Sequence, residues 1–258
     1  FAWYVRRQEH LLPPWRRVAR SASGMSVLTV LVFFIAVGLL DSLHYRPALP
    51  AAEGATRYYA VEVLSLFDRL AEPLRTRREK TYSEPLDTHL YAKESIDLPD
   101  GRQVRDYPRL VHGGAHLQDP ERDWAGDVMR RVLYGIASAM LAWLAVGAGL
   151  CTRVARHTRV EWRSAWHAIW RGQTEVPWRA VLVTLAVVLL FIGPTLALSV
   201  KYHVFGTDKV GQDVFYLTLK SIRTGLVIGT LTTLVMLPFA LLLGIMAGYF
   251  RGWIDDAI

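Results

Sequence analysis

Four long apolar runs constrain the fold of this 258-residue chain more than any other feature: residues 25–43, 132–151, 179–200 and 225–249. Each run holds roughly 19–25 residues, enough to cross a hydrocarbon core of about 30 Å at about 1.5 Å rise per residue. Hydrophobic residues make up 52% of the chain although 21% is charged, because the charges lie between the runs. The sequence therefore predicts an all-α polytopic membrane protein with four transmembrane helices.

The first run is the weakest of the four, because Asp41 lies near its end. The arginines before it would also fit a signal peptide. However, Ala-Leu-Pro-Ala at 48–51 is a poor small-x-small cleavage site, and 24 residues make a long n-region. We therefore expect the first span to remain in the protein as a transmembrane helix. Whether it remains or is cleaved as a signal peptide, the segment after it lies on the outer side of the membrane.

Arginines are concentrated in two of the segments between the runs. The segment 44–131 nearly balances its charges, whereas the arm 1–24 and the loop 152–178 carry most of the net charge of +7. Four alternating helices place these two basic segments on the same side, and the positive-inside rule makes that side the cytoplasm. The excess of arginine therefore predicts the orientation of the chain in a lipid bilayer, with the N-terminus in the cytoplasm. It does not indicate a nucleic-acid partner. The excess arginines, with Arg179 directly after the loop, are Arg6, Arg7, Arg16, Arg17, Arg20, Arg153, Arg156, Arg159, Arg163, Arg171 and Arg179.

The outside segment 44–131 shows both helix and strand patterns. Apolar residues within 58–70 recur at helical spacing, which predicts an amphipathic helix stopped by Pro73. Alternation on both sides of 99–101, Pro-Asp-Gly, predicts a hairpin. We therefore expect a small α+β insertion on the outside.

The loop 152–178 contains three tryptophans at four-residue spacing, Trp162, Trp166 and Trp170. Tryptophan beside arginine on one helix is typical of a helix that lies in the lipid headgroup region. The alternative is a docking surface for a cytoplasmic partner.

Glycines recur at four-residue spacing in the fourth run. Gly225 and Gly229 lie at its outer end, and Gly244 and Gly248 at its inner end. Small residues at this spacing let another helix approach closely. The pattern fits ordinary bundle packing, and it also fits a helix that moves during transport.

Residue patterns for catalysis are missing from the chain. It has no G-x-x-x-x-G-K-[ST] phosphate loop, no G-x-S-x-G and no H-E-x-x-H. His112 and His116 could share a metal on a helix, but Gly113 and Gly114 between them favour a loop. The spans hold few ionisable groups, which disfavours an ion-coupled carrier. We expect no enzyme activity, no metal and no cofactor in this chain, and energy from another subunit.

The stretches "FGTDKVGQDVFYLTLKSIRTGLVIG" and "GIMAGYFRGWIDD" in residues 205–258 resemble the inner-membrane permease subunits of dipeptide and oligopeptide ABC importers. In that family, a G-T-D-x-x-G-R-D segment outside the membrane leads into a span that ends A-G-Y-x-G-G. This chain departs from the pattern at Gln212, Leu217, Ser221 and Arg251, which leaves the peptide preference open. The matching residues are Gly206, Thr207, Asp208, Gly211, Asp213, Arg223, Ala247, Gly248, Tyr249, Gly252 and Asp255.

The resemblance implies a permease that forms half of a pathway for peptides across the bacterial inner membrane. It implies as partners a second homologous permease, two cytoplasmic ATPases and a periplasmic solute-binding protein. Residues 250–258 are expected to be a truncated cytoplasmic end, because the family's E-A-A loop, which docks the ATPase, is not in the chain. A permease for nickel or another small solute, and a membrane scaffold whose periplasmic domain binds a partner, are the alternatives; a membrane enzyme is disfavoured.

The segment 201–224 is predicted to hold the periplasmic GTD loop and a short helix. Thr207 and Asp208 can bond amides of their own loop. Asp213 precedes apolar residues at helical spacing, which predicts that it caps this helix. The helix would lie flat as a lid at the outer mouth of the pathway; the alternative is a plain surface turn.

Overall fold

The computed structural model describes residues 12–48, 59–97 and 103–249. Several predictions fall outside the described residues: the hairpin turn at 99–101, the cytoplasmic end 250–258 and the first part of the arm 1–24. Arg6, Arg7, Arg251, Gly252 and Asp255 belong to these segments.

Helices dominate the described part of the chain, and two small sheets accompany them. The helices are α1 (Leu12–Arg20), α2 (Ala22–Ser42), α3 (Leu66–Leu70), α4 (Glu72–Thr76), α5 (Pro120–Thr158), α6 (Trp162–Trp170), α7 (Trp178–Ser199) and α8 (Val214–Tyr249). The strands form two antiparallel pairs, β1 (His44–Tyr45) with β2 (Leu64–Ser65) and β3 (Glu94–Asp97) with β4 (Gln103–Asp106). The predicted hairpin is confirmed, with Glu94 opposite Asp106.

Among the described residues, four helices are long and apolar enough to cross a membrane: Ala22–Ser42, Pro120–Thr158, Trp178–Ser199 and Val214–Met246. Each overlaps most of one of the predicted apolar runs, so the prediction of four candidate spans is confirmed. The side on which the N-terminus lies stays a prediction.

Helix α5 is much longer than the predicted span 132–151. It begins at Pro120, which suits a first helical turn because its missing N–H needs no intrahelical partner. It continues without a break until Arg159, whose left-handed φ of 54° ends it. The first twelve residues of the helix therefore come from the segment predicted as part of the outside insertion.

Helix α8 is continuous, which corrects the prediction of a separate short helix before residue 225. The helix begins at Val214 and runs through Gly225 and Pro238 to Tyr249. One glycine costs only about 1 kcal/mol in a helix interior, which does not end a helix flanked by long apolar runs. Residues 214–224 are thus the first turns of the span and not a lid of their own.

The predicted helix over 58–70 is also replaced by different structure. Residues Leu64–Ser65 form strand β2, and only the short helix α3 follows. Ser65 and Asp68 bond each other's backbone N–H, at 2.9 Å and 3.0 Å, which starts helix α3 at that point. Pro73 lies in the first turn of helix α4, which begins at Glu72, and does not stop a helix, because proline is tolerated in a first turn.

The chain divides into two compact units. The first unit is Phe1–Phe34 with Ala71–Tyr216, and the second is Ile35–Leu70 with Leu217–Ile258. The segment 44–131, predicted as one insertion, contributes to both units.

The first unit is organised by close packing of helices α5 and α7. A Cβ at Gly135 would lie 2.5 Å from Cα of Pro194, so the two backbones touch where they cross. The indole of Trp143 donates a hydrogen bond to the carbonyl oxygen of Leu182 at 2.8 Å. Helix α6 folds back onto this pair, and the buried core there consists of Cys151, Ala165, Ile169 and Leu182.

The second unit brings helix α2 against the start of helix α8. A Cβ at Gly38 would lie 2.6 Å from a methyl carbon of Leu226. The small β1–β2 pair follows helix α2 directly, with His44 opposite Ser65.

Candidate functional site

The signature loop, residues 206–213, is a compact turn fixed by its own side chains. The carboxylate of Asp208 accepts hydrogen bonds from the backbone N–H of Val210 at 3.0 Å and of Gln212 at 2.8 Å. Gly206 and Gly211 have φ of 71° and 73°, which favours glycine because other residues are strained there. The predicted bond between Asp208 and amides of its own loop is confirmed.

The same loop lies against the segment 79–83 of the first unit. A Cβ at Gly211 would lie 1.8 Å from the backbone oxygen of Glu79, and one at Gly206 would lie 2.2 Å from that of Ser83. The hydroxyl of Thr207 donates to the carbonyl oxygen of Thr81 at 2.8 Å rather than to its own loop. Both glycines are therefore needed for a close backbone approach as well as for their φ.

A buried histidine clamp, defined here as Glu79, His203 and Asp213, joins this loop to the rest of the unit. Nδ1 of His203 lies 2.7 Å from Oδ2 of Asp213, and Nε2 lies 3.3 Å from Oε1 of Glu79. The side chains are 3% exposed for His203 and 1% for each carboxylate. Because both ring nitrogens face carboxylate oxygens, the ring donates from both nitrogens as an imidazolium.

Each carboxylate of the clamp has further partners. Glu79 accepts backbone N–H bonds from Val111, His112 and Gly113, at 2.8, 2.7 and 3.1 Å. The two carboxylates and one imidazolium sum to one negative charge, and backbone amides surround that charge.

Asp213 also caps helix α8, as the sequence predicted. Its Oδ1 accepts the backbone N–H of Phe215 at 2.9 Å and of Tyr216 at 3.2 Å. These amides belong to the first helical turn, which has no intrahelical acceptors for them. The second oxygen of the same carboxylate binds His203, a contact that the capping argument did not foresee.

The pKa values of the clamp differ from ordinary values in the direction that keeps it charged. Burial alone would lower the pKa of His203, but hydrogen bonds and charges from Asp213 and Glu79 raise it to about 9. Burial alone would raise the pKa of Glu79, but bonds from His203 and the three amides lower it to about 2. At neutral pH the clamp therefore holds an imidazolium beside an ionised Glu79.

A second cluster lies where helix α5 begins. Asp127 is 4% exposed and accepts hydrogen bonds from Tyr202 at 2.9 Å and Arg131 at 2.6 Å, and it also contacts Arg130. Its Oδ2 lies 2.8 Å from Nε2 of His116. Tyr202 directly precedes His203, so this cluster supports the clamp from the neighbouring position in the chain.

The metal hypothesis for His112 and His116 finds no support in this arrangement. His116 is paired with Asp127, and His112 uses its backbone N–H to bind Glu79. Among the described residues, no three His, Cys, Asp or Glu side chains are grouped so that they could hold a metal ion.

A third cluster, the acid–base cluster, lies in the second unit and includes Arg223 of the family signature. Asp41 accepts the hydroxyl of Ser65 at 2.8 Å and lies 3.5 Å from Arg223. Asp68 lies 2.8 Å from Nζ of Lys220. The two carboxylates are 2% and 4% exposed, whereas Arg223 and Lys220 are 37% and 40% exposed. These pairs attach the first turns of helix α8 to the end of helix α2 and to helix α3.

Glycines of helix α8 have no close neighbours in the described part of the chain. No atom lies within 4 Å of a Cβ built at any of them: Gly225, Gly229, Gly244 and Gly248. Gly225 and Gly229 line an open apolar groove of about 430 Å³ together with Leu226 and Leu234. Tyr249 is 79% exposed, and the side chain of Ala247 lies outside what is described. The role in helix packing that the sequence suggests for the four glycines, Ala247 and Tyr249 stays a prediction.

Sequence reasoning missed several residues of these clusters: Glu79, His203, Asp127, Asp41 and Asp68. One sequence signal could have indicated the acid–base cluster. An acid lies at the end of the first apolar run and cations lie just before the fourth, and charged groups near a membrane need partners. No local pattern marks Glu79 and His203, which lie 124 positions apart.

The fold and these clusters define a helical membrane protein in which a tightly clamped loop connects two candidate spans. The chain is 38% identical over 56 residues to the glutathione transport system permease protein GsiD of Pectobacterium atrosepticum. The match covers 22% of this chain and 19% of that protein, so the chain spans about a fifth of the length of the curated relative. No family model matches the chain, and no solved structure matches it. The partial match supports a permease role.

Proposed function

We propose that this chain is part of the transmembrane permease subunit of an ABC importer and forms half of a pathway for peptides across a bacterial inner membrane. The observation that carries the proposal is the 56-residue similarity to a glutathione transport system permease. Glutathione is a tripeptide, so the substrate for which that relative is named falls within the class of peptides that the signature implies.

The histidine clamp gives the signature loop a structural role in this proposal. The loop connects two candidate spans, and the clamp fixes it to residues 79–113 through His203. We infer that the loop is a rigid collar at the outer mouth of the pathway. Its signature residues are Gly206, Thr207, Asp208, Gly211 and Asp213.

The uncovered face of helix α8 would contact another helix of the assembled transporter. Its groove at Gly225 and Gly229 is open and apolar, which suits close helix packing. The complete assembly would contain a second homologous permease, two cytoplasmic ATPases and a periplasmic solute-binding protein. ATP hydrolysis would belong to the ATPases, and this chain would carry no catalytic residue and no cofactor.

Cysteine labelling tests the proposed topology, in which residues 44–119 lie in the periplasm and the N-terminus lies in the cytoplasm. Ala115→Cys and Ser164→Cys are matched exposed positions, each placed in a Cys151→Ser background. A membrane-impermeant maleimide should label Ala115→Cys in intact spheroplasts and Ser164→Cys only after lysis. The opposite pattern would overturn the orientation.

An uptake assay tests the transport function itself. Vesicles that contain the complete transporter should accumulate a dipeptide or glutathione only when ATP is supplied. Nickel uptake without peptide uptake would show that the substrate is a metal ion and not a peptide. Absence of any ATP-dependent uptake, with periplasmic protein still retained on the chain, would favour the membrane scaffold.

A further inference from the structure

An arginine surface lies at one end of the first unit and has no role in the function proposed above. It is defined by the exposed arginines of helices α5 and α6, of the loops that flank helix α6, and of the first turn of helix α7. Only Glu161 and Glu175 offer negative charge between residues 152 and 179. The residues of the surface are Arg153, Arg156, Arg159, Arg163, Arg171 and Arg179.

None of these six arginines forms an ion pair in the part of the chain that the structure describes. The ion pair found next to them joins Glu175 to Arg20 of helix α1, at 3.8 Å. This pair uses one of the two acids and brings a second basic segment, with exposed Arg16 and Arg17, to the same end of the unit. The positive charge there is therefore in excess and open to solvent.

Helix α6 is held so that its charged face points away from the protein. Ala165 and Ile169 are fully buried against helices α5 and α7. The thiol of Cys151 donates to the carbonyl oxygen of Trp162 at 3.3 Å, which fixes the start of the helix. Arg163 and His167 lie on the exposed side, about half a turn away from the buried residues.

Tryptophans next to this surface indicate contact with a lipid interface. The rings of Trp162 and Trp166 stack with their centroids 6.0 Å apart, and Trp162 is still 48% exposed. Helix α5 ends and helix α7 begins at this end of the unit, and both are candidate membrane spans. Exposed tryptophan at the end of a span is typical of the headgroup level of a bilayer.

We propose that the arginine surface binds the headgroup phosphates of anionic phospholipids. The guanidinium group offers two parallel N–H donors that match two phosphate oxygens. Six arginines beside a bilayer edge suit a negatively charged leaflet better than a zwitterionic one. The inference rests on the membrane placement of helices α5 and α7 and not on any transported solute.

Native mass spectrometry of the full chain in detergent tests the proposal. The probes are phosphatidylglycerol and phosphatidylcholine with identical acyl chains. The test variant is Arg156→Gln/Arg163→Gln/Arg171→Gln. The control variant makes the same change in charge at exposed arginines far along the chain, Arg78→Gln/Arg105→Gln/Arg122→Gln.

The unaltered chain and the control variant should retain phosphatidylglycerol in preference to phosphatidylcholine. The test variant should lose this preference by about tenfold or more, because each arginine near an anionic surface strengthens binding several-fold. Equal losses in both variants, or no preference in the unaltered chain, would overturn the proposal.

Discussion

The histidine clamp of the first unit and the acid–base cluster of the second unit both neutralise buried carboxylates, but they differ in solvent exposure. In the clamp, acid and base are both at most 3% exposed. In the acid–base cluster, the carboxylates are buried while Lys220 and Arg223 remain about 40% and 37% exposed. When a cation that water can reach is removed, water can solvate the carboxylate in its place, whereas removal of a buried cation leaves its carboxylates without charge or water. The clamp should therefore be the more sensitive of the two to substitution.

Removal of the clamp's cation should have the largest effect. His203→Ala leaves Glu79 and Asp213 buried without a positive charge, which costs about 3–5 kcal/mol of stability in comparable buried pairs. Hydrogen–deuterium exchange at the amides of residues 111–113, which bind Glu79, should accelerate strongly. His157→Ala, at an exposed helical position, is the matched control and should leave these amides protected. If the amides of residues 111–113 were equally protected in His203→Ala, the clamp would not be more sensitive to loss of its cation than the acid–base cluster.

Alanine at a loop glycine should have the next largest effect. Gly211→Ala combines a φ of 73° with a Cβ that would lie 1.8 Å from a backbone oxygen, so we expect a loss of roughly 2 kcal/mol or more. Gly229→Ala meets no atom within 4 Å and should leave the melting temperature of the isolated chain unchanged or slightly higher. Thermal unfolding in detergent measures both. Equal losses at the two glycines would contradict the close approach at the loop.

Substitutions of Asp213 separate its two roles. The sequence alone predicts that Asp213→Asn largely retains uptake, since asparagine also caps a helix. The contact with His203 changes that expectation, because Asn keeps the cap but loses the charge. Asp213→Asn should be less stable than the unaltered chain, and Asp213→Ala should lose about 1 kcal/mol more through the missing cap. Equal stability of the two variants would show that the charge alone matters.

The acid–base cluster should give the smallest effect. Lys220→Met removes a half-exposed cation from Asp68, which keeps the hydrogen bond from the backbone N–H of Ser65. Water can also reach the place that the ammonium group leaves, so we expect a loss of about 1 kcal/mol. Denaturant unfolding of the full chain measures this change. A loss as large as that of His203→Ala would mean that exposure does not distinguish the clusters.

Local patterns predicted the four long apolar helices of the fold well, but not most of the shorter ones. The apolar runs are long enough to identify four candidate spans, and Asp213 before a periodic apolar segment identified the cap of helix α8. Helix ends were harder to predict, because Gly225 and Pro73 act differently inside a helix and at its start. The structure shows one helix through Gly225 and a new helix that has Pro73 in its first turn.

Contacts between distant segments were not predictable in the same way. Glu79 and His203 lie 124 positions apart, and Asp41 and Arg223 lie 182 apart. A single sequence states which side chains carry charge but not which segments the packing brings together. The clamp depends on the loop lying against Glu79, which requires the backbone approach at Gly211.

The charge of His203 fixes how the stability of the clamp depends on pH. Its pKa is raised from 6.5 to about 9, so its contribution is fully present below pH 6.5 and is lost as pH rises through about 9. Glu79 acts in the opposite range, because its pKa is lowered from 4.5 to about 2. Its contribution is present above pH 4.5 and is lost as pH falls toward 2.

An NMR titration of the histidine rings tests the central claim, that a buried imidazolium joins the signature loop to the rest of the first unit. The full chain, labelled at its histidines, is titrated in detergent, and His203→Ala identifies the resonance of His203. We expect this ring to remain protonated until about pH 9, while the ring of exposed His157 serves as reference. A His203 ring that loses its proton near its ordinary pKa of 6.5, or below it, would contradict the account.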